Sequence, residues 1–393
     1  MRHLAVSHGI AAALATTVVA STLLLAAPSR VRPTALPLTA LWTRQVTGAP
    51  PLAAALSDSG YLVAGFADHV EVMALSTGAT AWSSPIPGAL LTCESTICVA
   101  GDNTAVRAID LAGKTVRWQK LTPKPLALPP TLRSGWVFLT SADGHVTALR
   151  DTDGSEVWTY AASAPLTGVP SVDGSHVAVA STDGRVTLID LKTGRALWST
   201  LLPARPGVPR LGGGMVYVGT DDRRLAYLHA TTGQIKDLAR TGGAVLGAPA
   251  IDERFVYTGG QDGVLRAFDR GNGTLSWYAD LPTRPTSAGP VVDTGLVAIA
   301  LHTGGFQLYL SSGDTKKPAA QLAAPGAGDS TVSLAVPPMI TGAGATLRLV
   351  TVTHDVGDFS KWSASVTGVA PPLVVSGLPS TIPGLLLKLT APR

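Results

Sequence analysis

Apolar residues along this chain fall in short runs separated by polar turn pairs. His176-Val-Ala-Val-Ala180, Val186-Thr-Leu-Ile189 and Phe255-Val-Tyr257 are examples. Such runs are too short for amphipathic helices and are rich in β-branched and aromatic residues, so they read as strands. Between them stand Asp143-Gly144, Asp183-Gly184 and Asp262-Gly263, together with Thr-Gly pairs such as Thr193-Gly194. These dipeptides accept the positive φ that tight hairpins need. The pattern predicts antiparallel hairpins throughout and shows no helical periodicity.

The hairpins repeat. A turn glycine recurs at Gly78, Gly113, Gly154, Gly194, Gly233, Gly273, Gly313 and Gly357, about every forty residues. Trp82, Trp158, Trp198 and Trp277 stand four residues after their glycine; Trp118 and Trp362 stand five after theirs. Asp237 and Lys317 occupy that slot in two repeats, and of the eight tryptophans only Trp42 and Trp136 lie elsewhere. An Asp-Gly pair precedes the glycine by ten residues, with Asp222-Arg223 in its place once, and Pro130, Pro170, Pro209 and Pro249 mark the repeat starts. Each unit is therefore four short antiparallel strands. Such a sheet cannot bury both faces alone, whereas a ring of stacked sheets can. The expected fold is all-β, an eight-bladed β-propeller of four-stranded antiparallel blades, with the tryptophans wedged between blades. Seven repeats are clear between residues 48 and 322, and residues 323–393 read as one degenerate blade, which leaves seven and nine blades as alternatives. The segment Leu41-Trp42-Thr43-Arg44-Gln45-Val46 resembles an isolated fourth strand, suited to completing the last blade from the other terminus.

The N-terminus changes the picture. No charged side chain occurs from Gly9 to Ala27, a run long enough for a helix of roughly 20 residues to span a bilayer. Residues 1–33 read as a signal peptide or a membrane anchor preceding a propeller domain at 34–393, so the chain is expected to be exported, secreted or tethered by its N-terminal helix. Cys93 and Cys98, the only cysteines, flank a predicted hairpin turn and suit a disulfide in an oxidising compartment; a reduced, half-buried pair is the alternative. With 30 Lys and Arg against 26 Asp and Glu the net charge is only +4, without the clustered bases and interleaved aromatics of a nucleic-acid binder. The propeller histidines fall on different repeats without metal-ligand spacing, and no glycine-flanked nucleophile stands out. No catalytic, cofactor or metal residue is assigned, and a monomer is expected.

One surface motif recurs. The linkers Leu121-Thr-Pro123-Lys124-Pro125, Leu202-Pro203-Ala-Arg205-Pro206 and Leu281-Pro282-Thr-Arg284-Pro285 each carry a cation between prolines. In a four-stranded meander they emerge on the same face as the Asp-Gly turns, which also carry Arg185, Arg223 and Arg224. Lys124, Arg205 and Arg284 would then form a sparse basic ring for an acidic partner. Proline-stiffened loops lose little entropy on binding. Ordinary rigid linkers with solvated charges are the alternative.

Ala267-Phe-Asp269-Arg-Gly-Asn-Gly273-Thr-Leu-Ser-Trp277 and Leu188-Ile-Asp190-Leu-Lys-Thr-Gly194-Arg-Ala-Leu-Trp198 resemble the A-x-D-x-x-T-G-x-x-x-W repeat of the quinoprotein-like propeller family, whose enzymes bind pyrroloquinoline quinone. The resemblance implies the propeller fold and tryptophan docking between blades. The family's enzymes also use vicinal cysteines, a Glu/Asn/Asp calcium site and a catalytic Asp, none of which is evident in this chain. Its non-catalytic, BamB-like members are eight-bladed scaffolds. The resemblance therefore implies an extracytoplasmic protein-interaction scaffold at the cell envelope, without cofactor. A quinone-dependent dehydrogenase and a binder of envelope polysaccharide or another anionic polymer are the alternatives, because fold does not settle function.

Overall fold

The computed structural model describes residues 53–57, 59–74, 77–102, 104–293, 296–302, 306–311 and 313. It also describes the backbone of outlying strands at Ser29–Arg30, Pro33–Thr34, Ala40–Gln45, Ala319–Ala320, Thr346–Asp355, Asp358–Val369 and Leu385–Leu386. All described elements are strands, and no described helix is long and apolar enough to cross a membrane. The expected N-terminal helix lies outside the described residues.

Consecutive hairpins build consecutive sheets. The first holds Ala53–Ser57, Tyr61–Gly65, Val70–Ala74 and Thr80–Ser84. The second runs from Leu90–Glu94 to Thr115–Leu121, and the third from Thr131–Arg133 to Glu156–Ala161. The fourth runs from Ser171–Val172 to Ala196–Leu201, the fifth from Pro206–Gly212 to Ile235–Arg240, and the sixth from Ala250–Ile251 to Leu275–Asp280. Within each, neighbouring strands pair antiparallel in chain order, as in the third (Phe138 opposite Ala148, Ala148 opposite Trp158). Pro285–Asp293, Leu296–Leu301 and Phe306–Leu310 form a three-stranded seventh sheet.

A further sheet joins the two ends of the chain. Ala40–Gln45 pairs antiparallel with Asp358–Val369, which pairs with Thr346–Asp355, and that strand pairs with Leu385–Leu386. Leu385–Leu386 in turn neighbours Ala53–Ser57 of the first sheet. The early segment thus supplies a strand to the last sheet, with Arg44 opposite Trp362. On the way, Ser29–Arg30 runs parallel to Leu275–Asp280 and Pro33–Thr34 runs parallel to Ala319–Ala320.

The cores lie between sheets. Val177 and Val179 pack with Trp136, Phe138 and Val146 of the third sheet, whereas their alternates Ala178 and Ala180 pack with Leu211, Val216 and Val218 of the fifth. Alternate side chains leave opposite faces of a strand, so each sheet contributes to two cores. This is why the second strands read as unbroken apolar runs: His176–Ala180 is buried at every position after its first. The fourth strands of the second, third and fourth sheets are mostly exposed, as Thr115–Leu121 shows.

The tryptophans close these cores, and each belongs to its neighbour. Trp118 Nε1 donates to Asp151 O at 2.7 Å, Trp158 to Leu191 O at 2.8 Å, Trp198 to Ala230 O at 2.7 Å and Trp277 to Ser311 O at 3.0 Å. Every acceptor lies in the turn of the following sheet. The turn glycine leaves room for the indole of the preceding blade: a Cβ on Gly154 would sit 2.7 Å from the Trp118 ring, and one on Gly194 would sit 2.6 Å from that of Trp158. These glycines have φ near +70°, which side-chain-bearing residues adopt only at a cost. Trp82 is half-buried against the core between first and second sheets, without that receptor. The extra residue between Gly113 and Trp118 moves the left-handed position to Lys114 (φ 53°). The Trp362 side chain lies outside the described residues.

Cys93 and Cys98 stand directly opposite across the hairpin of the second sheet, their Cα atoms 4.0 Å apart, and their sulfurs are bonded. Ser95 takes the left-handed position of the turn between them (φ 55°).

Candidate functional site

The turns between second and third strands share one construction. Ser141 Oγ donates to Asp143 Oδ1, Ser181 Oγ to Asp183 Oδ1 and Thr220 Oγ1 to Asp222 Oδ1, each at 2.5 Å. The hydroxyl pins the carboxylate two residues on, and the fourth residue takes positive φ: Gly144 (88°), Gly184 (95°), Arg223 (69°) and Gly263 (73°).

Linkers from the preceding blade lie beside these turns and are fastened to them. Ala142 N donates to Pro125 O, Thr182 N to Pro165 O, Asp221 N to Arg205 O, Gln261 N to Ala244 O and His302 N to Arg284 O, at 2.8 to 3.0 Å. These five backbone bonds place Pro125, Pro165, Arg205, Ala244 and Arg284 at one repeated position. Arg205 and Arg284 are therefore equivalent, whereas Lys124 comes one residue earlier. The linker cations and the turn cations do share a face.

Electrostatics divides the six cations. Lys124 Nζ lies 2.6 Å from Asp143 Oδ2 and 3.1 Å from the His145 ring, and His145 Nδ1 lies 2.9 Å from Asp143 Oδ1. Lys124, then Ser141 and His145, hold the Asp143 carboxyl far below the usual carboxylate range, so it stays charged opposite Lys124. Arg185 Nε pairs with Asp183 at 3.7 Å and Arg224 Nε with Asp222 at 3.3 Å. Ser163 and Ser181 lower the Asp183 pKa. Arg284 Nη2 instead meets His302 Nε2 at 3.3 Å. Arg205 and Arg223 are exposed and have no side-chain ion pair among the described residues. Three of the six cations are thus matched by acids of the same turns, which sequence spacing did not reveal. The signal was present in the Asp that precedes each turn glycine.

Among the described residues, two clefts open on this face. One of about 150 Å³ is lined by Lys120, Leu121, Lys124, His145 and Glu156 among others. The other, about 360 Å³, is lined by Asp222, Arg223, Arg224, Arg240 and Gly242. Sequence reasoning did not single out Arg240 or Gly242; the replacement of Asp-Gly by Asp222-Arg223 was the available pointer.

Among the described residues no three His, Cys, Asp or Glu side chains converge to hold a metal ion. The disulfide spans a hairpin, not vicinal cysteines. These residues do not fit a calcium-assisted quinone site, and no step through such a group is derived.

A family model described as outer membrane protein assembly factor BamB matches residues 66–208 and again 203–354. Two curated proteins carrying that description are similar to this chain. The one from Bordetella pertussis (strain Tohama I) is 24% identical over 237 residues, 55% of this chain and 58% of the relative. The one from Moranella endobia (strain PCIT) is 22% identical over 261 residues, 62% of this chain and 66% of the relative. The chain therefore spans less than two thirds of the length of these relatives. Among solved structures, BamB from Moraxella catarrhalis superposes with a TM-score of 0.60 at 18% identity, covering 84% of this chain and 100% of that one. The computationally designed Ika8 protein also superposes at 0.60, with 16% identity, covering 76% of this chain and 99% of its own. At such identities the superpositions show the propeller fold alone.

Proposed function

From the premise that the chain belongs to the outer membrane protein assembly factor BamB family, we propose that it is a non-catalytic, extracytoplasmic docking scaffold of the cell envelope. Residues 1–33 serve as the export signal or membrane anchor, and residues 34–393 form a monomeric ring of eight blades. The partner is a component of envelope protein assembly, and it presents an acidic patch to the face of linkers and turns.

The five backbone bonds that fasten each linker to the next turn carry this reading. A surface held this way loses little conformational entropy when a partner binds, so more of the contact energy appears as affinity. Arg205, Arg223 and Arg284, the cations of the six without a carboxylate partner among the described residues, give the face its attraction for acids. Lys124, Arg185 and Arg224, already matched by turn aspartates, contribute less.

A photo-crosslinking residue placed at Ala204, beside Arg205, in the native host tests the proposal. An envelope assembly protein should be captured and identified by mass spectrometry. The Arg205→Glu/Arg223→Glu/Arg284→Glu variant should lose that capture, whereas Arg195→Gln, in the turn beside Gly194, should keep it. Undiminished capture by the triple variant would remove this face from the reading. Dye-linked alcohol oxidation by the chain supplied with quinone and calcium would overturn the non-catalytic role.

A further inference from the structure

The fifth sheet's turn departs from its counterparts in a costly way. Gly144, Gly184 and Gly263 occupy the left-handed position elsewhere, but here Arg223 does, at φ 69°. An arginine in that conformation costs about 1 kcal/mol or more relative to glycine. The next residue adds a second cost. Arg224 stands directly opposite Arg240 in the antiparallel ladder, and like charges so placed repel. Both features border one cleft of about 360 Å³, whose remaining walls are Asp222 and the bare backbone of Gly242.

The charge in the cleft is unbalanced. Three guanidiniums face one carboxylate, Asp222, which engages Arg224 only through Nε at 3.3 Å. The neighbouring Arg266 and Asp262 form a closed bidentate pair, 3.0 and 2.6 Å, and neutralise each other. Exposed Asp221 does not line the cleft. An excess of two positive charges, carried by arginines and not lysines, matches a doubly charged tetrahedral oxyanion. Planar guanidinium forks bind such an anion through paired hydrogen bonds, and it would relieve the Arg224–Arg240 repulsion.

We propose that the cleft formed by Asp222, Arg223, Arg224, Arg240 and Gly242 binds a phosphate group, carried as a phosphomonoester dianion. Arg223, which leaves the glycine rule of its turn, and Arg240 both line the cleft and would contribute guanidinium donors to the anion. The site lies on the proposed docking face but does not depend on it: phosphate binding by the isolated chain tests one, and partner capture tests the other.

Calorimetric titration of the purified full chain with inorganic phosphate at low ionic strength is the test. The unaltered protein should bind, and Arg223→Gly and Arg240→Gln should each weaken binding by about tenfold. Arg223→Gly restores the residue the turn prefers, so its melting temperature should not fall, which separates lost binding from lost folding. Arg195→Gln, which removes the same charge elsewhere, should leave affinity unchanged. No binding by the unaltered protein at phosphate up to about 10 mM would overturn the proposal. So would equal affinity in Arg223→Gly and Arg240→Gln, or an equal loss in Arg195→Gln. Parallel titrations with O-phosphoserine and glucose 6-phosphate identify the carrier by the tighter ligand; failure of both esters to bind would overturn the phosphomonoester.

Discussion

The junction between the third and fourth sheets and the junction between the fifth and sixth perform one task with different residues. At the former, Trp158 lies over Gly194 and donates its indole N–H to Leu191 O, above a core of Trp136, Phe138 and branched aliphatic side chains. At the latter, Asp237 stands in the tryptophan slot and faces Gly273, which keeps its left-handed φ of 70°. The missing indole is replaced by residues outside the tryptophan slot. Tyr217 and Tyr227 meet edge to face at 5.2 Å, and Phe268 and Val256 pack beside them. Arg270 then crosses from the sixth sheet, donating through Nε to Tyr217 Oη at 3.3 Å, while its Nη1 donates to Asp252 O within its own sheet. A ring needs every junction closed, but it does not need them closed alike. A stacked architecture interacts only with nearest neighbours, so one junction can change while the others keep the repeat.

Chemical denaturation of single variants breaks or sharpens this contrast. Trp158→Ala should have the largest effect, about 3–5 kcal/mol, because it empties a buried indole slot. Gly194→Ala should cost about 2–4 kcal/mol, combining the left-handed backbone with overlap against the Trp158 ring. Gly273→Ala should cost about 1–2 kcal/mol, since its neighbour is the Asp237 carboxylate, which can swing aside; equal costs at the two glycines would refute the contrast. Arg270→Gln should cost about 1–3 kcal/mol by unfastening the cross-junction bond to Tyr217 and the bond to Asp252 O.

Tyr227→Phe is the smallest change and carries the opposite sign. The Tyr227 hydroxyl is buried with no hydrogen-bond partner among the described residues, and burial pushes its pKa well above the usual tyrosine value. Removing it should leave stability unchanged or raise it by about 1 kcal/mol, read as a shift of the denaturation midpoint at constant slope. A clear loss of stability would mean that the hydroxyl has a partner.

Much of the architecture was legible in the chain because its signals are local. Asp-Gly turns, Thr-Gly turns and apolar strands are set by contacts within a few residues, and their repetition implied sheets that must stack. The early strand that joins the last sheet was legible too, since Ala40–Gln45 carries fourth-strand chemistry with no blade before it. The candidate face was only half legible. Spacing from the turn glycine aligned Lys124 with Arg205 and Arg284, but the shifted turn at Lys114 displaces it by one residue. Nor did spacing reveal that Asp143, Asp183 and Asp222 would face the cations of the same region.

The residues by themselves determined where strands and turns lie and which side chains must be hidden from water. The tertiary structure alone decided who receives whom: Trp118, Trp158, Trp198 and Trp277 each enter the turn of the next blade, more than thirty residues away, as Trp158 meets Leu191. It also decided that Arg270 would fasten the junction without a tryptophan and that Arg224 would face Arg240. Turn geometry is fixed by torsions and hydrogen bonds inside one hairpin. Contacts between sheets and the balance of charge over a shared face exist only once separate hairpins have stacked.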